Sequence, residues 1–388
     1  MNRFPPLFNL GFRIFFCSAT VIAIVSMAQW LGVYAWGVLP PAANIPLPYW
    51  HGHEMVFGYS MAVVAGFLLT AVGNWTGQPM PSGRALALLW LPWLAARIAF
   101  IAGFMLVAQL ADILFMIFLA VAIARPIIAV KQWRQMGILS KVVLMLVAAL
   151  CFLIASLTTW ADGYRIGLYL GVYLVIGLVL TIGRRVTPFF ISRGVGYPFE
   201  PKNSDRIDRA CLISFLAFFL FELFTPWQWP ASIAALVTAI LQGWRLVGWH
   251  TPGIWKKPLL WTMVISLWSV VFGFFLFFLQ AFLPQISDSL ALHALTLGGI
   301  GIMTVSMMGR VSLGHSGRNI HQPSRLLVIA LVFIIAATVF RILFPMFLPA
   351  QYTVWLIHAQ VAWLISFILL LIAYWRIWNS PRADGKPG

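Results

Sequence analysis

The sequence of 388 residues is 62% hydrophobic and only 9% charged, with a mean hydropathy of +0.94, which excludes a soluble domain that hides its apolar residues in one core. Its net charge of +16 comes from 25 Lys and Arg strung out between apolar segments, not gathered into a stripe, so no nucleic-acid partner is indicated. The solvent for most of this surface is the lipid bilayer.

Apolar runs long enough to cross the hydrocarbon layer, about 20 residues each, recur along the whole chain. In chain order the pattern predicts helices at about 12–36, 50–73, 85–107, 109–130, 138–160 and 164–183. A second set follows at about 207–225, 231–249, 258–283, 290–311, 324–345 and 351–378. The first run lacks a small-residue cleavage site after a short apolar core and is expected to stay as a helix. Prolines and glycines punctuate the breaks, among them Pro40, Pro41, Gly77, Pro79, Pro226, Pro284 and Pro349. The expected fold is an all-α polytopic membrane helix bundle of about twelve spans, one domain over 1–388. No motif is seen to repeat between the halves, and the basic stretch 184–206 reads as a loop.

Loop charge gives an orientation, because Lys and Arg are retained on the cytoplasmic side. Lys131, Arg134 and Lys141 follow the fourth run; Arg184, Arg185, Arg193, Lys202, Arg206 and Arg209 follow the sixth. The loops near 37–49, 226–230, 284–289 and 346–350 contain no Lys or Arg. Both termini are therefore expected to be cytoplasmic.

That orientation sorts the histidines by depth. His51, His53, His293 and His358 fall near the outer ends of their spans, whereas His250, His315 and His321 fall on the cytoplasmic side. Ionisable groups inside a bilayer are costly and count as functional candidates by default. Neutral imidazole is a common metal ligand, and paired His on facing helices hold haem iron in bundles; the alternative is hydrogen bonding to a neighbouring helix. On an ideal helix His51, Met55, Gly58, Ala62 and Ala65 share one face, and His293 stands above Gly298 and Gly301. Such small residues admit either a flat macrocycle or a neighbouring helix. His51 and His53 point apart by roughly 200° on ideal helical geometry and so would serve different centres.

Glu54 follows these histidines and is a candidate to orient a ligand imidazole or take protons, or simply a first-turn acid favoured by the helix dipole. Arg97 and Arg341 lie outside the positive-inside pattern and each needs an anion; Arg341, at the histidines' depth, suits a haem propionate. Asp112, Glu222 and Asp288 are alternative protein partners. Three separate cysteines, Cys17, Cys151 and Cys211, form no C-x-x-C pair and read as buried small side chains. Met55, Met61, Met303, Met307 and Met308 offer thioethers but read first as adaptable packing. Walker, dinucleotide-binding, nucleophile-elbow and H-E-x-x-H motifs are absent.

The runs W-H-G-H-E-M-V-F-G-Y at 50–59 and A-G-F-L-L-T-A-V-G-N-W-T-G at 65–77 resemble the signature of the NnrS family. So do H-A-L-T-L-G-G-I-G-I-M-T at 293–304 and M-G-R-V-S-L-G-H-S-G-R at 308–318. The resemblance implies a multi-pass bacterial inner-membrane protein with haem b and copper, tied to nitric oxide and nitrosative stress. His51, His53, His293, His315 and His358 fall in the matching segments and are the implied metal ligands. His51 and His293 are taken for haem, His53 and His358 for copper or a second metal. His315, 22 residues past His293 and so about 33 Å along a helix, belongs to a second site or to a loop. A shorter likeness links His51-Gly52 and Met55 to an A-H-G-x-x-M run of haem-copper oxidase subunit I, although that family's H-P-E-V-Y run is absent.

The resulting expectation is a protein that binds or turns over nitric oxide, or a similar diatomic, with haem-dependent oxidoreduction as the enzymatic possibility. The alternatives are a secondary transporter of a small anion or metal, and a non-enzymatic sensor or metal-homeostasis factor.

Overall fold

The structure is a computed structural model that describes residues 4–41 and 45–385. Among the described residues it is helical, without a β-strand. Twelve long helices follow in order: α1 Gly11–Trp36, α2 Leu47–Thr76, α3 Gly83–Ile101, α4 Met105–Ala129, α5 Met136–Leu157 and α6 Asp162–Gly194. They continue as α7 Asp205–Phe224, α8 Gln228–Trp249, α9 Pro258–Leu279, α10 Asp288–His315, α11 Arg325–Phe347 and α12 Tyr352–Asn379. Eleven have the length and apolarity to cross a membrane. The remaining one, α7, carries Asp205, Arg206, Asp208 and Arg209 in its first turns and Glu222 near its end. The chain is a multi-pass membrane protein, as the hydropathy pattern implies.

Two helix ends depart from the sequence reading. α3 stops at Ile101, not near 107, because Gly103 turns the chain at a left-handed φ of 84° and Phe104 N–H closes the end on Ala99 O at 2.8 Å. α6 runs to Gly194, through Pro188, where the Arg-rich sequence reads as a loop. An internal proline removes one backbone bond and is tolerated in membrane helices when neighbours satisfy the freed group.

The helices group into two compact units. The first comprises Met1–Val175, Met308–Leu327 and Phe367–Gly388; the second comprises Ile176–Met307 and Val328–Ser366. Within the first, α1 packs along α2, α3 on α4, and α4 on α5 and α2. The fully buried Arg13 of α1 donates to the carbonyls of Ile377, Trp378 and Ser380 at 2.9, 3.1 and 2.5 Å, so the orphan acceptors at the end of α12 neutralise an otherwise costly buried cation. Within the second, α7 packs on α8, α8 on α9, and α9 on α10.

α2 and α10 share a construction. Each is α-helical up to a histidine, His53 or His293, and then widens into a π segment, Glu54–Ser60 or Ala294–Gly301. Each returns to α-helix at Met61 or Ile302. A π turn bonds i to i+5, and such segments concentrate at functional positions. Side chains from adjacent helices hold the loosened turns. Trp93 Nε1 donates to Gly58 O at 3.0 Å in the first unit, and Ser266 Oγ donates to Gly299 O at 2.7 Å in the second.

Candidate functional site

In the first unit the junction at His53 is charged and closed. Arg97 of α3 pairs through Nη1 with Glu54 Oε1 and through Nη2 with Asp112 Oδ2 of α4. His53 Nδ1 lies 3.3 Å from Glu54 Oε1, and its Nε2 lies 3.7 Å from Asp112 Oδ2. All four side chains are at most 3% exposed. The His53 ring also stacks on Phe100 at 4.8 Å with 4° between planes. Ion pairs at this burial survive only by mutual compensation, so the cluster binds α2, α3 and α4 into one body. Glu54 Oε2, Asp112 Oδ1 and Arg97 Nε are buried there without a hydrogen-bond partner.

Arg97 reads from sequence as mid-span, but with α3 ending at Ile101 it stands about one turn from the helix end, level with Glu54 and Asp112. The sequence offers Asp112 as a partner for Arg97, whereas it reads Glu54 as an imidazole partner, a proton acceptor or a first-turn acid. The available signal is that Glu54, Arg97 and Asp112 lie in three consecutive apolar spans. Asp288 accepts from Gln280 Nε2 at 2.8 Å.

His51 faces elsewhere, as ideal helical geometry requires: its half-buried ring stacks on Trp30 of α1 at 4.6 Å with 6° between planes. The expected small-residue face beneath it is not kept, because the π segment shifts the register. A Cβ on Gly58 would come within 2.5 Å of Arg97 Nη1 and 3.2 Å of Glu54 Oε2, so Gly58 makes room for the ion cluster. Gly66 admits Phe16, whose ring a Cβ would meet at 2.7 Å. His315 ends α10 beside Phe12, ring centroids 6.1 Å apart, while its carbonyl accepts from Arg382 Nη1 at 3.0 Å. Here it organises the return of the C-terminal segment.

In the second unit the junction at His293 is half-buried. His293 Nδ1 lies 2.7 Å from the Ser289 carbonyl one turn back, and Arg341 Nη2 of α11 donates to Ser289 Oγ at 2.6 Å. The structure thus brings Arg341, 6% exposed, within one helical turn of His293. The guanidinium also lies 5.8 Å from the Tyr352 ring centroid of α12. His358, two turns into α12, is exposed; its Nδ1 lies 2.7 Å from Val354 O and its ring 5.5 Å from Phe340, next to Arg341 in sequence. Gly298 and Gly301 serve helix packing: a Cβ on Gly298 would meet Ser269 Cβ at 2.7 Å, and one on Gly301 would meet Trp363 at 3.3 Å.

Among the described residues, no group of three or more His, Cys, Asp or Glu side chains is assembled to hold a metal ion. Where acids and an imidazole do gather, around His53, the Arg97 guanidinium supplies the cation.

The NnrS protein family profile matches residues 6–382, nearly the whole chain. The chain belongs to the NnrS family. No curated protein matches it. In this NnrS member the matched stretch contains both π-interrupted spans and every candidate residue named above.

Proposed function

We propose that this NnrS protein is a haem- and copper-binding protein of the bacterial inner membrane that acts in the nitric oxide response, binding or turning over nitric oxide or its metal adducts. Family membership supports the nitric oxide role. The observation that carries the metal reading is the state of the imidazoles at His293 and His358. Each has Nδ1 against a backbone carbonyl at 2.7 Å, which places the ring proton on Nδ1 and leaves the lone pair on Nε2. This is the tautomer and outer-shell anchor of a metal-ligating histidine.

The donor set fits the groups. His293 would ligate haem iron, with Arg341 beside it to pair with a propionate. His358 would ligate copper, and His51 is a further imidazole for either metal. A haem held there supplies an iron for binding a diatomic gas or for passing electrons. The chain's own part is to fix the His293 ring through Ser289 and to offer Arg341's positive charge to a carboxylate. His53 is left out of the ligand set, since its two nitrogens face Glu54 and Asp112.

The test is a visible spectrum with metal analysis of the purified protein, alongside His51→Ala, His293→Ala and His53→Ala. A Soret band in the wild type that disappears in His293→Ala and persists in His53→Ala supports the reading; a colourless, metal-free wild type refutes it. Consumption of nitric oxide with a reductant then separates an enzyme from a sensor. The matched π-interrupted spans, one per unit, favour one alternative, a secondary transporter built from repeats with broken helices at its substrate site. A colourless protein that moves a small anion or metal into vesicles would establish that alternative.

A further inference from the structure

α6 has 33 residues, about 50 Å at the α-helical rise, whereas the hydrocarbon layer is about 30 Å thick. Counting from Asp162, the layer is spent at about Arg184, so the last turns, which hold Arg184, Arg185 and Arg193, stand at headgroup depth. These arginines line a cavity of about 890 Å³ in the second unit, together with Phe189, Tyr197 and Glu200. Three arginines and one acid thus share the lining.

A neighbouring acid offsets this excess only in part. Asp208 is shared, with Oδ1 at 3.2 Å from Arg245 Nη1 and Oδ2 at 3.4 Å from Arg184 Nη1. Arg245 is 5% exposed and Arg184 is 38% exposed, so the shorter and drier pair is the one with Arg245. The far wall is pinned in advance: Tyr197 Oη accepts from Gly253 N–H at 2.9 Å and meets Thr251 Oγ1 at 2.5 Å. Trp249 Nε1 donates to Asn203 Oδ1 at 2.9 Å, and Lys202 N–H to Gly248 O at 3.0 Å. The cavity therefore need not order its wall when a ligand enters. Phe189, 57% exposed, and Tyr197, 43% exposed, give the lining an apolar flank beside the arginines.

We propose that this cavity binds the phosphate of an anionic phospholipid, with the headgroup held by Arg184, Arg185 and Arg193 and the acyl chains lying along the apolar flank. Arginine is suited to phosphate oxygens by its planar donor fork. Basic pockets at the cytoplasmic level of a bundle are where lipid phosphates are recognised, and loop charge assigns this end of α6 to that side. The depth and the apolar flank favour a lipid over a soluble phosphate, which has no use for either.

The test uses the full chain in nanodiscs of phosphatidylcholine with or without phosphatidylglycerol, with bound lipid counted by native mass spectrometry and stability read from thermal unfolding. Phosphatidylglycerol should be retained by the wild type and should raise its Tm above that in phosphatidylcholine alone. Arg185→Gln with Arg193→Gln spares the Arg184–Asp208–Arg245 contacts, and retention should fall roughly tenfold. Glu200→Gln, which removes the opposing acid, should raise retention. Equal retention of both lipids by the wild type, or an unchanged preference in the double variant, overturns the proposal. So does an equal Tm rise from inorganic phosphate in lipid-free detergent, which would make the cavity a soluble-anion site.

Discussion

His53 and His293 hold one position in two spans built alike, each the last α-helical residue before a π segment. Around His53 stand Arg97, Glu54 and Asp112, almost wholly buried. Around His293 stand a backbone carbonyl, a serine hydroxyl and one arginine, with the imidazole half-buried. The backbone device alone therefore does not assign a role. Carboxylates and a guanidinium on α2, α3 and α4 turn one junction into a structural lock, while at the other a backbone carbonyl fixes Nδ1 of a half-buried imidazole.

Replacing the central cation tests the lock most severely. Arg97→Met strands two buried carboxylates and should destabilise the protein by about 3–5 kcal/mol, read as lost thermal stability in detergent. Adding Glu54→Gln and Asp112→Asn should recover most of the loss, because it removes the uncompensated charge; no recovery would mean that shape, not charge, holds α2 to α3 and α4. Arg341→Met breaks a bond to the neutral Ser289 hydroxyl and should cost less, about 1–3 kcal/mol. Equal costs for the two arginines would erase the distinction between the junctions.

The second contrast is between the histidines. His293→Ala is expected to abolish the Soret band with little loss of yield, whereas His53→Ala should lower yield and keep haem per polypeptide. The reverse pattern would exchange the two roles. Gly58→Ala and Gly298→Ala should each cost about 1–3 kcal/mol through overpacking, against Arg97 in one case and Ser269 in the other. Only Gly58→Ala should be relieved by shortening Arg97. The mildest change is Ser289→Ala, which removes the hydroxyl from Arg341 but leaves the carbonyl that holds His293; haem affinity should weaken less than tenfold.

The span pattern was legible because a bilayer imposes one simple rule on length and apolarity. All twelve helices appear near their expected positions, and the two errors have local causes. Arg184 and Pro188 made the end of α6 look like a loop, and the turn at Gly103 cut α3 short. The second error hid the ion cluster, since it moved Arg97 away from the depth of Glu54. Asp112 as its partner was within reach of the sequence; the joint capture of Glu54 was not.

Composition and hydropathy determined by themselves that the chain is a helical membrane protein, and long motifs determined its family, because both are carried by residues in linear order. The π segments could not be read that way, as the two spans share little beyond a histidine followed five residues later by a glycine. A widened turn persists only where neighbouring helices fill and bond it, as Trp93 and Ser266 do. Which histidine is locked and which is open was likewise decided by side chains distant in sequence, because burial and charge pairing are properties of the packed bundle.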